Sequence, residues 1–423
     1  MIDLTRRWKM CVVTGAALAL MAGMASTVPS AYAGGTIKVD DDKYISIGMG
    51  IRQSFNMVED GSASGSQWSN SFNINNARIY INGGIHKYVK FAFNTECFNC
   101  AVGSSSGAFG DRSNIGLLDA IGQFEINELV NFWVGRTLVP TERGELNGPF
   151  YHAVFDGFRT PFNQADFSGN IGAGGAGLYG RDNGVVFFGK VHPGGTHLQY
   201  VASVFQGLRS SLGAGPNQRD SLKYAGRLTW NLLNDESNPG YYTSGTYYGT
   251  AGDILALAVG GEYQNAGAGS NANKSAFGSF VSDILFEKVL PNNNGVFTAN
   301  AEYKRYWAQS LAAQGGVASG NGDCFCLFSG TSFTAYALYL FPQEVGIGRF
   351  QPYGRYTFVN SVHTSALDEF EAGMNYIISG HNARISTFWR TGNLAPTGGP
   401  ATLGAIPGGP HQDSFHVALQ LQY

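Results

Sequence analysis

The chain has 423 residues, a formal net charge of −3 and only 13% charged residues, beside 59 glycines, 21 tyrosines and 29 phenylalanines. That charge density is about half the ~25% usual in soluble globular domains, and a balance on the acidic side excludes nucleic acid as a partner, which wants a clearly basic face. Beyond the first 33 residues no run approaches the ~20 apolar residues of a spanning helix, so a bilayer protein of this composition must cross as a closed barrel of strands.

Residues 1–33 read as a signal peptide. Arg6, Arg7 and Lys9 precede the apolar run Met10 to Ala25, and Ala31-Tyr32-Ala33 gives a small-residue cleavage pattern. Arg6-Arg7 touches the twin-arginine pattern, but its flanks fit ordinary unfolded export better. Residues 34–423 show no linker or composition shift and read as one domain placed beyond the inner membrane.

From Tyr44 the chain breaks into stretches of roughly ten residues with period-two alternation. In Tyr44 to Ser54, Ile45, Ile47, Met49 and Ile51 share one face, and Ser46, Gly48, Gly50, Arg52 and Ser54 the other. One face suits lipid and the other water. Leu222 to Asn231 repeats the split.

Sixteen strands begin near Tyr44, Phe72, Val89, Leu117, Asn131, Gly184, His197, Ser221, Asp253, Ala276, Gly295, Ser332, Phe350, Glu369, Ala383 and Phe415. An even number closes a barrel with both chain ends on the periplasmic side. The expected fold is therefore all-β, a transmembrane antiparallel β-barrel of about 16 strands. His86-Lys87, Pro193-Gly194-Gly195, Pro291 to Asn294 and Gly380-His381-Asn382 have the chemistry of tight periplasmic turns. Asn234 to Gly252 is too long for one and is expected to pack under the barrel. The longest outer segment, Pro140 to Asn183, has the size of a functional loop. The last strand alternates Val417, Leu419, Leu421 and Tyr423 against polar neighbours, and its aromatic end resembles the signal by which outer-membrane barrels are handed to their assembly machinery.

Three stretches carry a resemblance: Gln351-Pro352-Tyr353-Gly354-Arg355-Tyr356, Glu371-Ala372-Gly373-Met374-Asn375-Tyr376 with Gly380-His381-Asn382-Ala383-Arg384, and Asn76-Ala77-Arg78-Ile79-Tyr80-Ile81-Asn82-Gly83. With them the chain resembles the phosphate-selective porins O and P. The resemblance implies a homotrimer, a third loop folded into the lumen, and a pore with an inward arginine ladder and a lysine cluster at its mouth. No such lysine cluster is evident here. The third-loop segment carries Arg143, Arg159 and Arg181 against Glu142, Glu145, Asp156, Asp166 and Asp182.

Strand parity turns Arg52, Arg78, Lys90, Lys190, Lys223, Arg227, Lys304, Arg355, Arg384 and Arg390 inward, with Glu96, Asp119, Glu125, Glu262, Asp283, Glu287, Glu302 and Glu371. The near balance predicts weak selectivity, with at most a mild, phosphate-like anion preference, because selective pores use rings of one sign. Arg52, Arg78, Arg355, Arg384 and Arg390 come from strands that meet on closure. They form a basic wall opposite a constriction built from Glu142, Arg143, Glu145, Asp156, Arg159 and Arg181. The plainer reading of the same charges is ordinary ion pairing.

No histidine sits in a Gly-x-Ser-x-Gly elbow or a His-Glu-x-x-His motif, so no enzyme and no cofactor is expected. Cys97, Cys100, Cys324 and Cys326 fall in outer loops, where an oxidising exterior favours disulfides. A tetrahedral metal centre is the rival reading, and Ala101 after Cys100 excludes a Cys-x-x-Cys-His haem site. The expected function is an outer-membrane porin of a Gram-negative bacterium, seated among lipid and lipopolysaccharide, passing ions and small hydrophilic solutes. The alternative is a structural barrel sheathing an electron-transfer partner such as a multihaem cytochrome.

Overall fold

A computed structural model describes residues 35–62, 64–98, 114–161, 180–207, 221–236, 238–269, 274–308, 329–362, 365–394 and 408–423. Its strands are β1 (Gly35–Lys38), β2 (Tyr44–Val58), β3 (Ser69–His86), β4 (Val89–Phe98), β5 (Asn114–Glu125) and β6 (Asn131–Leu138). After a kinked helical segment, α1 (Arg143–Tyr151), come β7 (Arg181–Val191), β8 (His197–Phe205), β9 (Lys223–Asn231), β10 (Ile254–Gly269), β11 (Lys274–Val289) and β12 (Val296–Ala308). The last five are β13 (Gly330–Leu340), β14 (Arg349–Ser361), β15 (Leu367–Ser379), β16 (Ala383–Leu394) and β17 (Gly408–Gln422).

Strands β2 to β17 form a closed sixteen-stranded antiparallel barrel, each paired with the next and β17 with β2. Five of them start at the residue the alternation gives: Tyr44, Val89, Asn131, His197 and Ala383. The seam is finished at the chain end, where Tyr423 exchanges backbone hydrogen bonds of 2.8 and 3.0 Å with Met49. Below that point β17 has run out. The short β1 takes its place, pairing Gly35 to Lys38 with Ile47 to Tyr44.

The outward face is apolar and aromatic, as lipid requires. Ile47, Met49, Phe187, Tyr224 and Leu228 are about half exposed. Aromatic residues gather toward both rims, including Phe55 with Phe72 and Trp68 with Trp389 at the loop side, and Phe350 with Tyr376 at the turn side. This is the interfacial girdle of a membrane barrel. At the turn side the tyrosine hydroxyls also hold the turns, Tyr200 donating to Leu129 O and Tyr376 to Val345 O, both at 2.5 Å.

The inward face differs from the expected polar lumen. On β11 to β17 and β2 to β3 it is charged and amide-rich, whereas from β4 to β9 it contributes Ala92, Ile121, Trp133, Val186, Phe188, Val201, Phe205 and Ala225 to an apolar cluster. The sequence shows why: Phe132-Trp133-Val134 and Val185-Val186-Phe187-Phe188 are apolar on both faces, the mark of strands covered on both sides. Something inside the barrel must cover them.

Candidate pore constriction

Two segments enter the lumen. From the loop side, residues 139–161 lay α1 across the barrel. From the turn side, residues 232–253 rise to meet it, so the long segment after β9 packs inside the barrel and not under it.

Helix α1 breaks at Gly148, whose φ of 60° and ψ of 169° let Pro149 start a second turn. Its charged residues are fixed by barrel strands. Arg143 is fully buried and bonds Asp283 of β11 through Nε at 2.7 Å, and Arg227 of β9 holds the other oxygen of that carboxylate at 2.6 Å. Glu142 closes on Lys304 of β12, and the amide of Gly144 donates to Glu302 at 3.1 Å. Burial pushes the Glu142 carboxyl up despite Lys304.

Beyond the break the loop runs along the arginines of the expected basic wall. Arg384 donates to the carbonyls of His152 at 2.6 Å and Ala153 at 3.1 Å, Arg52 to that of Phe155, and Arg355 to that of Gly157 at 2.7 Å. Arg390 pairs with Asp156 and bonds Glu371 at 2.5 Å. Arg355 also reaches Glu369 and Glu371 at 2.6 and 2.7 Å, and Arg159 joins Glu369 at 3.1 Å. All five wall arginines are at most 7% exposed. Arg52, Arg355, Arg384 and Arg390 clasp loop carbonyls and the Asp156 carboxylate, while Arg78 closes on Glu96 of β4, and little face of any of them is left for water.

The electrostatics follow from that clasp. Burial pushes Asp156 up, but Arg390, Arg159 and Arg52 outweigh it and hold the carboxyl well below the usual range. Burial, reinforced by Arg52 and Arg384, holds His152 far below its ordinary value and therefore neutral. Arg181 corrects the expected loop boundary. The β6–β7 ladder extends to Leu138 opposite Arg181, so this residue opens β7 as part of the wall, bound to Asp119 at 3.0 Å.

The rising segment was missed by charge and motif reasoning. Glu236 meets Arg143 through two bonds of 2.8 and 2.7 Å, a bidentate pair that locks the two insertions together. Thr243 donates to Asn147 at 2.7 Å, and the amide of Gly245 to Tyr151 O at 2.9 Å. Tyr241 is fully buried on Trp133 and Phe188, with its hydroxyl on Leu138 O at 2.7 Å. Gly240 is required there, since its φ is +58° and a Cβ would come within 2.4 Å of the Trp133 ring. Further along, Tyr248 packs on Val296, Leu340 and Ile377, while Thr246 caps Glu287 at 2.6 Å. Its carbonyl meets His381 at 2.9 Å, a ring that burial and Arg384 depress to about 3.

One unfilled space lies beside the β3–β6 wall, at its turn-side end. On α1, Glu145, Gly148 and Pro149 keep partial exposure. Burial pushes the Glu145 carboxyl up to about 7, against the pull of Lys304, Arg181 and Arg78. Arg78 itself is closed on Glu96. At the turn side a cavity of about 620 Å³ opens between this wall and Gly240.

Other predicted features fall elsewhere. Cys97 is disulfide-bonded, while Cys100, Cys324, Cys326 and Asp166 lie outside the described residues. Among the described residues no group of three His, Cys, Asp or Glu could hold a metal. One arrangement unseen in the sequence has the order of a nucleophile, base and orienter: Ser414 Oγ lies 2.9 Å from His416 Nε2, whose Nδ1 meets Asn56 at 2.7 Å. Ser414 is 0% exposed, so no substrate reaches it, and the trio serves as a satisfied polar network inside the barrel.

No family model matches this sequence, and no characterised protein matches it in sequence. Solved structures do. The barrel is similar to the anion-selective porin from Comamonas acidovorans, at 12% identity and TM-score 0.52, covering 90% of this chain and 100% of that one. It has the porin fold. Salmonella typhi OmpF in complex with daunomycin gives 11% identity and TM-score 0.52, covering 92% and 100%. Outer-membrane expressed OmpT of Vibrio cholerae gives 10% and 0.50, covering 92% and 100%. Such identities establish shared architecture. The narrower resemblance to the phosphate-selective porins gains nothing from them.

Proposed function

We propose that this chain is an outer-membrane porin, a non-enzymatic channel through which small hydrophilic solutes diffuse. The observation that carries this reading is the third outer loop laid across the lumen and clamped to the wall, with Glu145, Gly148 and Pro149 partly exposed beside Arg78 and Arg181. A loop so placed narrows a barrel without sealing its whole section, and the turn-side cavity continues the unfilled side toward the periplasm.

Selectivity is weak in this reading. The lumen arginines are matched by carboxylates or carbonyls, so the wall presents no ring of one sign, and the mild anion preference expected from the arginines has no uncompensated group to express it. The sheath alternative loses its premise, because the bore it would need is occupied by the chain's own two insertions. We place the barrel in a Gram-negative outer membrane, among lipid and lipopolysaccharide, as a homotrimer delivered by the assembly machinery through the strand ending at Tyr423.

Refolded protein in planar lipid bilayers tests this. Discrete, ohmic current steps are expected in potassium chloride, and a flat baseline from correctly folded protein would overturn the channel reading. Migration of unheated samples on denaturing gels checks the trimer.

A further inference from the structure

We propose that the turn-side cavity of this barrel is a binding site for a neutral, polyhydroxylated solute of mono- to disaccharide size. The inference rests on the porin reading and names the class of solute.

The cavity, about 620 Å³, is bounded by residues of seven successive strands, β2 to β8, by the turn after β5, and by Pro239 and Gly240 of the rising segment. Its volume lies in the ~300–1,000 Å³ range of small-molecule sites. The charges at its edge are already matched. Lys90 bonds Glu125 at 2.6 Å, Lys190 is paired with Asp235, and Glu128 bonds His192 at 2.7 Å. An ionic solute would leave water and find no uncompensated partner, which is costly.

The amides are different. Asn82, Gln123 and Asn131 line the cavity, and no side-chain hydrogen bond joins any of them to another described residue. Asn131 is 92% buried, with only 8% of its surface open. A carboxamide both donates and accepts, which matches the hydroxyl group and no simple ion. Three such groups on β3, β5 and β6 can meet several hydroxyls of one ring. Phe188, mostly buried against Trp133 and Tyr241, adds only an apolar edge on the same wall. These amides open onto the cavity, where the hydroxyls of a solute can take the place of the water that otherwise meets them.

Titration calorimetry of the folded, full-length protein in detergent, with glucose and maltose as probes, tests this. Weak, saturable binding is expected, since a channel site must also release its solute. Asn131→Leu and Gln123→Leu should each weaken it about tenfold, the loss of one to two hydrogen bonds. Asn82→Ala, on a different strand, repeats the measurement if a leucine variant does not fold. Absence of saturable heat with both sugars, unchanged affinity in the folded variants, or saturable binding of inorganic phosphate or lysine instead would each overturn the inference. Bilayer currents read the parent proposal separately: a conducting barrel that ignores sugars sinks only the site, and a sugar-binding barrel that never conducts sinks only the channel.

Discussion

The loop 139–161 and the turn 232–253 both enter the barrel, yet different forces hold them. The loop is gripped by charge-assisted bonds from five arginines on four strands to its own carbonyls and carboxylates. The turn is held largely by aromatic packing, with Tyr241 on Trp133 and Phe188 and Tyr248 on the apolar turn-side ends of β12, β13 and β15. The polar grip fixes geometry, because each bond has a direction and a buried charge is costly to leave unmatched. The apolar grip fixes occupancy, since it removes surface from water with little demand on angle. Arg143 with Glu236 is where the two systems meet.

The comparison breaks most sharply if the turn is removed. Replacing residues 236–249 with a two-residue turn should raise single-channel conductance severalfold, because it withdraws the second insertion from the lumen. Unchanged conductance in a folded barrel would mean that the loop alone sets the bore.

Removing one arginine attacks the other grip. Arg390→Ala takes the paired cation from Asp156 and leaves Glu371 with Arg355 alone, and breaking a buried pair from one side costs ~3–5 kcal/mol. The temperature at which the folded band shifts on a denaturing gel should fall. The Arg390→Ala, Glu371→Gln double variant should recover part of the loss, and no recovery would remove the pair as its cause.

Packing on the turn side gives a graded test. Trp133→Ala should cost ~3–5 kcal/mol through the cavity it opens beneath Tyr241. Tyr241→Phe should cost only ~1–2 kcal/mol, the hydroxyl's bonds to Leu138 O and Thr137 Oγ1. Equal losses, measured by urea unfolding in detergent, would show that the hydroxyl, and not the ring stack, anchors the turn.

Most of the barrel was legible because a lipid-facing strand must alternate, and Ile45 to Arg52 alternates without exception. The arginine positions followed from the same parity. Their partners did not, since Arg384 meets a backbone carbonyl 232 positions away and no side-chain pattern records that. The apolar inner wall was written in the sequence but read only as strand, because a run such as Val185 to Phe188 satisfies lipid on one side and conceals what lies on the other. The rising segment gave a signal too: a fourth turn of some twenty residues carrying two tyrosine pairs is too long and too aromatic for solvent. A cavity lined by amides from three separate strands has no local signature at all.

The smallest effect concerns Glu145, a carboxyl of the loop that keeps some exposure. Glu145 sits opposite Arg78 and Arg181, and burial pushes it up to about 7. A raised acid is ionised above that value and neutral below it, so lowering the pH from 8 to 6 should add a proton and subtract a negative charge from the passage. Asp156 stays ionised across this window, because Arg390, Arg159 and Arg52 outweigh burial and hold it low, and His152 stays neutral, held low by burial, Arg52 and Arg384. Glu142, pushed up to about 8 by burial against the pull of Lys304, exchanges its proton in the same window, but it is closed on Lys304 and so alters the charge of the passage less than Glu145 does. The reversal potential in a potassium chloride gradient should therefore move toward the anion side with a midpoint near 7, by a few millivolts in a pore whose other charges are paired. Glu145→Gln should hold the low-pH value throughout. A variant that titrates like the wild type would assign the effect to another group and leave the loop's exposed face without an electrostatic role.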